Sequence, residues 1–175
     1  MFRKLLNSEL GRLNVDEYKA ADKAPVMLVL DNIRSQHNIG SAFRTCDAFR
    51  VEGICLCGIC ATPPSAEMHK SALGAEFSVG WSYYQDTMDA VMALKAEGWT
   101  IVSVEQAEHS TMLGSFAPER GRKYALVFGN EVHGVRQDVV DESSICLEIP
   151  QYGTKHSLNV SVSIGIVLWS ILKEI

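Results

Sequence analysis

The chain has 175 residues, 47% of them hydrophobic and 21% charged, with a formal net charge of −5. That length holds one domain with a substantial core, the composition excludes a disordered chain, and the acidic balance excludes a general polyanion binder. The mixed, polar start Met1–Glu9 and the polar breaks in the longest apolar run (Leu158–Leu172) lead us to expect a cytoplasmic protein with neither export signal nor membrane span.

In chain order, Ser8–Ala21 reads as a leading amphipathic helix and Val26–Leu30 as the first strand. A loop, Asp31–His37, then opens a helix over Ile39–Phe49, with Asn38 in the N-cap position. Ile39, Ala42, Phe43, Cys46 and Phe49 form its apolar stripe. Arg44 falls off that stripe about one and a half turns beyond Asn38, near the end of a strand where open α/β sheets keep their sites. A solvated arginine and a plain cap are the alternative at these two positions.

Ile54–Cys57 is the second strand. Cys46, Cys55, Cys57 and Cys60 lie close in sequence, but a zinc knuckle needs a turn where Gly53–Gly58 reads as a buried strand. Buried free thiols are the simpler reading, and five cysteines, an odd number, suit a reducing compartment. Pro63-Pro64 starts a loop or the entry to a helix near Met68. Phe77–Trp81 is a weaker strand, followed by a helix over Asp86–Glu97 and strands over Thr100–Val104 and Ala125–Phe128.

The run Phe128-Gly129-Asn130-Glu131-Val132-His133-Gly134-Val135 leads from strand to helix through two glycines, which permit close backbone approach to a ligand. Glu131 is placed to hold a hydroxyl, an amine or a positive residue, or is merely a charged cap on a tight turn. A helix over Val135–Asp141 and a strand over Ile145–Ile149 follow. Pro150 then stops the strand, Gly153 turns the chain, and Ser157 caps a final helix with Asn159 in its first turn. Leu158 to Ile166 alternates as a strand would, but Ser157, Ser161 and Gly165 also share a helical stripe, and the run's length favours a helix. Strands alternating with helices make a parallel α/β sheet covered on both faces. Positive residues gather at Arg3, Lys4 and Arg12, at Arg34, His37 and Arg44, and at Arg120, Arg122 and Lys123, which allows a local basic surface.

Three segments together resemble the motifs of the SpoU (TrmH) family of the SPOUT superfamily. They are Asn38-x-Gly40-x-x-x-Arg44, Phe128-Gly129-Asn130-Glu131-x-x-Gly134-Val135, and Ile149-Pro150-x-x-Gly153-x-x-x-Ser157-Leu158-Asn159-Val160-Ser161-Val162. Lys70-Ser71-Ala72-Leu73-Gly74-Ala75 is similar to a further stretch of that family, and the likeness runs from about Pro25 to the C-terminus. It implies a methyltransferase domain over 25–175 behind an N-terminal extension over 1–24. The implied fold is a helix-flanked parallel sheet ending in a deep trefoil knot, which general rules of chain connection would disfavour.

The resemblance further implies methyl transfer from S-adenosylmethionine to a ribose 2′-hydroxyl of tRNA or rRNA. Backbone around Phe128, Gly129, Asn130, Glu131, Ile149, Pro150, Gly153, Ser157 and Leu158 would hold the cofactor. Arg44 would be the catalytic arginine, with Asn38, Glu131, Ser157 and Asn159 supporting the pocket or the substrate. Arg34, Arg44 and Lys70 would meet RNA, a homodimer would form through the knot, and no metal is called for. A catalytically inactive protein that binds cofactor and RNA, and a knotted enzyme acting on a base nitrogen, are the competing readings. A nicotinamide-binding sheet is remoter, because no G-x-G-x-x-G turn is present.

Overall fold

A computed structural model describes residues 1–174. A 3-10 turn (Asn7–Glu9) and helix α1 (Val15–Ala20) precede strand β1 (Ala24–Asp31), helix α2 (Gln36–Phe49) and strand β2 (Val51–Cys57). Helices α3 (Ala66–Ala72) and α4 (Ala75–Ser78), strand β3 (Trp81–Tyr84), helix α5 (Thr87–Ala96) and strand β4 (Thr100–Val104) follow. Strands β5 (Thr111–Met112) and β6 (Tyr124–Phe128), helix α6 (Gln137–Glu142), strand β7 (Ile145–Glu148) and helix α7 (Val160–Leu172) complete the chain.

The seven strands form one sheet in the order β3-β2-β1-β6-β4-β7-β5, and every pairing is parallel. Parallel strands with both faces covered need unbroken apolar runs, as in the fully buried Tyr124–Phe128. Leu28, Leu30, Leu126 and Phe128 face α2 and α7; Val29, Ala125 and Val127 face α5 and α6. The chain leaves β1 toward the α2 face and leaves the neighbouring β6 toward the α6 face. That divergence opens a crevice at their carboxyl ends, the usual place for a ligand in such sheets.

Four local expectations change. Ser8–Ala21 is not one helix: Gly11 has φ of +58° and Asn14 starts α1 afresh, its side chain accepting from the Glu17 amide at 2.9 Å. Phe77–Trp81 is not a strand, because Leu73 and Gly74 both turn left-handed and launch the short helix α4 before β3 begins at Trp81. The cap of α2 is Ser35, whose Oγ accepts from the Asn38 amide at 3.2 Å, so Asn38 lies inside the first turn. The cap of α7 is Asn159, accepting from the Ser161 amide at 2.9 Å, so Ser157 stays in the preceding loop. Strand β5 was not foreseen; two residues at a sheet edge leave no periodic signal. The basic run Arg120–Lys123 precedes β6 and lies at the opposite end of the sheet from the crevice.

Candidate functional site

At the crevice the three motifs meet through side chains. Capping of α2 by Ser35 leaves the Asn38 carboxamide free to bridge. Its Nδ2 donates to Glu131 Oε1 at 3.0 Å, and its Oδ1 accepts from Asn159 Nδ2 at 3.2 Å. Asn159 in turn holds Ser161, accepting from its amide at 2.9 Å and its hydroxyl at 2.6 Å. Glu131 also accepts from the Arg34 and Ser35 amides, each at 3.1 Å, so its carboxylate sits at the positive end of α2. Partial burial pushes the Glu131 carboxyl up. Hydrogen bonds from the Arg34 amide, its own amide, the Asn38 carboxamide and the Ser35 amide outweigh that, and hold its pKa below the ordinary carboxylate value. It is ionised at neutral pH.

The loop that carries Glu131 is built on close backbone contact. Asn130 and Gly134 exchange two backbone hydrogen bonds, at 3.0 and 2.9 Å, and Asn130 Nδ2 donates to the Asn32 carbonyl at 2.7 Å. A Cβ on Gly129 would stand 2.0 Å from both the Gly134 carbonyl carbon and the Val135 nitrogen. Gly134, at φ +69°, leaves the room that Glu105 occupies, and Glu105 Oε2 accepts from the Val135 amide at 2.9 Å. Gly40 plays a similar part on α2: a Cβ there would fall 2.3 Å from the Met68 carbonyl oxygen of α3.

Beside this network lies a cavity of about 990 Å³, at the upper end of the range of ligand pockets. Phe128, Gly129, Asn130, Glu131, Ile149, Ser157, Leu158 and Asn159 line it, whereas Pro150 and Gly153 lie outside its wall. Four carboxylates face it (Glu105, Glu108, Glu131 and Asp141) and no lysine or arginine does, so its potential favours a cation. Phe128, Val135, Ile149 and Leu158 supply apolar wall.

The remaining expected residues stand apart. Arg44 is exposed on α2, and its side chain forms no hydrogen bond or ion pair among the described residues. Arg34 is exposed, and Lys70 pairs with Glu67 at 2.6 Å. Ser157 makes no side-chain hydrogen bond among the described residues. Cys55 and Cys57 stand on β2, and burial pushes the Cys60 thiol up to about 11, where it donates to the Leu30 carbonyl as a thiol. Among the described residues no group of three or more His, Cys, Asp or Glu is placed to hold a metal ion.

Sequence reasoning missed two carboxylates that brace the site. Besides Glu105, buried Asp31 accepts from the Arg136 amide at 2.9 Å and from the Thr87 hydroxyl at 2.5 Å, fixing the start of α6 against β1. The signal was present: an acidic residue closes, or directly follows, an apolar strand in each case.

Residues 25–169 match the model of the SpoU rRNA Methylase family. The chain is 30% identical over 153 residues to the 23S rRNA (guanosine-2′-O-)-methyltransferase RlmB of Neisseria meningitidis serogroup B, covering 87% of this chain and 60% of that protein. Its fold is similar to that of the A. aeolicus TrmH/SpoU tRNA modifying enzyme, with a TM-score of 0.78 and 25% identity over 90% of this chain and 78% of that one. It is equally similar to an AdoMet-bound rRNA methyltransferase from Sinorhizobium meliloti, with a TM-score of 0.78 and 26% identity over 87% of this chain and 58% of that one. The chain spans 56–66% of the length of the bacterial curated relatives it matches.

Proposed function

The chain belongs to the SpoU rRNA methylase family, and on that footing we propose that it transfers a methyl group from S-adenosylmethionine to a ribose 2′-hydroxyl of tRNA or rRNA. The supporting observation is the bridge Glu131–Asn38–Asn159, which joins three distant motifs beside one cavity. The cavity fits the donor: its carboxylates suit a ligand bearing a sulfonium and an ammonium, and its apolar wall and backbone-lined loop suit an adenosyl group. S-adenosylmethionine, when bound, supplies an electrophilic methyl carbon.

The protein's own task is alignment and charge. Holding the oxygen in line contributes about 7–11 kcal/mol in well-oriented reactions, and the bridged loops are the rigid frame for it. A 2′-hydroxyl gains negative charge as it attacks. Arg44 is the cation on the flank of α2 available to meet it, but a guanidinium is a poor base. Arg44 therefore binds the oxygen and a neighbouring RNA phosphate, and that phosphate helps to take the proton. Arg34 and Lys70 extend the RNA contact, and residues 1–24 act as an extension of the catalytic domain 25–175.

The chain path supports a knot. After β7, which lies beyond β4, the chain crosses back over the strand ends so that α7 packs on α2. On the way Gln106 Nε2 donates to the His156 carbonyl at 2.6 Å, tying the crossing segment to the loop after β4. A homodimer through this region is supported by α7, which leaves Val162, Ile166 and Trp169 exposed along one face.

The test is incubation with methyl-labelled S-adenosylmethionine and unmodified tRNA and rRNA, followed by alkaline hydrolysis. We expect label in an alkali-resistant dinucleotide; alkali-labile product would move the assignment to a base. Arg44→Ala should fold, bind the donor and lose about 10²–10³-fold in rate, as for other lost oxyanion donors. A full rate in that variant removes Arg44 from the chemistry. Wild-type protein without affinity for the donor at any salt concentration overturns the proposal.

A further inference from the structure

We propose that the exposed face of Tyr83, with Ile59 and Arg34 beside it, is a shelf on which a single-stranded RNA nucleotide next to the target ribose docks; the inference rests on the function proposed above. Tyr83 lies on the edge strand β3 and is 48% exposed. Its ring is nonetheless held, because the hydroxyl donates to the Gly58 carbonyl at 2.9 Å. Ile59 follows Gly58 and is 61% exposed.

This turn is stitched to the first motif. The Ile59 amide donates to Asn32 Oδ1 and the Ile33 amide to Cys60 Sγ, both at 3.2 Å. The next residue is Arg34, whose amide holds Glu131 while its guanidinium has no partner among the described residues. A strip of linked residues thus runs from the Glu131–Asn38 bridge through Arg34, Asn32 and the Gly58–Ile59 turn to Tyr83.

The chemistry of the strip fits a nucleotide. An aromatic face stacks any base, a ring already immobilised loses little freedom on binding, and a free guanidinium matches a phosphate. Charge sets the direction of the strand. The cavity on the other side of Glu131 carries Glu105, Glu108 and Asp141, which repel a phosphate backbone, so the RNA leads away from them toward Arg34. Three side chains are too small a patch for a protein partner, which needs about 800 Å² per side.

The experiment uses fluorescent oligoadenylate of eight nucleotides and, as a base-free polyanion, polyphosphate of similar charge. Tyr83→Ala should weaken oligoadenylate binding about tenfold and leave polyphosphate and S-adenosylmethionine binding as in wild type. Tyr83→Phe, which keeps the ring but frees it from Gly58, should fall in between; Arg34→Ala should weaken both polyanions. Equal oligoadenylate affinity for wild type and Tyr83→Ala, or equal losses for both polyanions in Tyr83→Ala, overturns the shelf. If wild type binds S-adenosylmethionine but not oligoadenylate, the shelf falls alone; if it binds neither, the proposed function falls with it.

Discussion

Gly129→Ala tests how the candidate cofactor loop is built. The new Cβ would stand 2.0 Å from two backbone atoms of the Gly134–Val135 peptide, against an ordinary carbon contact of about 3.5–4.0 Å. No side chain can rotate to relieve this, so the peptide must move by roughly 1.5 Å. Two hydrogen bonds hold that peptide: Val135 N–H to Glu105 at 2.9 Å and Asn130 N–H to the Gly134 carbonyl at 3.0 Å. Straining a charged and a neutral bond, together with local overpacking, costs about 2–4 kcal/mol. In a chain of this size that lowers the thermal midpoint by roughly 4–16 °C. Donor affinity measured by calorimetry should fall with it, since the displaced loop lines the cavity. Gly153→Ala is the matched control: a Cβ there meets nothing within 4 Å, and we expect a change within about 0.5 kcal/mol. A Gly129→Ala protein that melts and binds S-adenosylmethionine like wild type refutes the idea that this contact shapes the pocket.

Two further predictions concern charge and assembly. The Glu131 carboxyl is held below its unfolded pKa of about 4.3, so its contribution to folding is present above that value and is lost as pH falls through the folded pKa. Because Glu131 is largely exposed, Glu131→Ala should cost only about 1 kcal/mol at pH 7, and its urea midpoint should converge on wild type at acid pH; a deficit independent of pH would count against this. Trp169→Glu should turn a dimer into a monomer in sedimentation with little change in the monomer's stability, because Trp169 is 63% exposed. Sedimentation of wild type as a monomer would dispose of the dimer.

The sheet was largely legible because parallel buried strands are written as unbroken apolar runs. Thr100–Val104 is found as read, and Val26–Leu30 lengthens only to Ala24–Asp31. Two misreadings, at Ser8–Ala21 and Phe77–Trp81, share a cause. At Gly11, Leu73 and Gly74 the backbone turns left-handed, and a period count cannot register one residue of opposite twist. Leu73 adopts that conformation without being glycine, so nothing in its type announces the break between α3 and α4. The order of strands was also beyond the pattern: β6 enters between β1 and β4, a placement set by tertiary packing alone.

For the site, the motifs named the right residues but mis-stated what some of them do locally. Read as a cap, Asn38 would spend its carboxamide on its own helix. With Ser35 as the cap instead, that carboxamide reaches residues 93 and 121 positions away. The same exchange occurs at α7, where Asn159 takes the cap and still has its Nδ2 for Asn38, leaving Ser157 and Leu158 extended along the cavity wall. A carboxamide carries its acceptor and its donors on separate atoms, so it can stabilise a helix start and join it to a second element at once, whereas a serine hydroxyl has a single oxygen on a shorter arm for both tasks. Asparagine at these two starts thus has a physical reason that lies in the fold and not in either helix. Asn159→Ser would keep a competent cap for α7 while breaking its link to Asn38. The consequences for folding and for the site are separable at that one position.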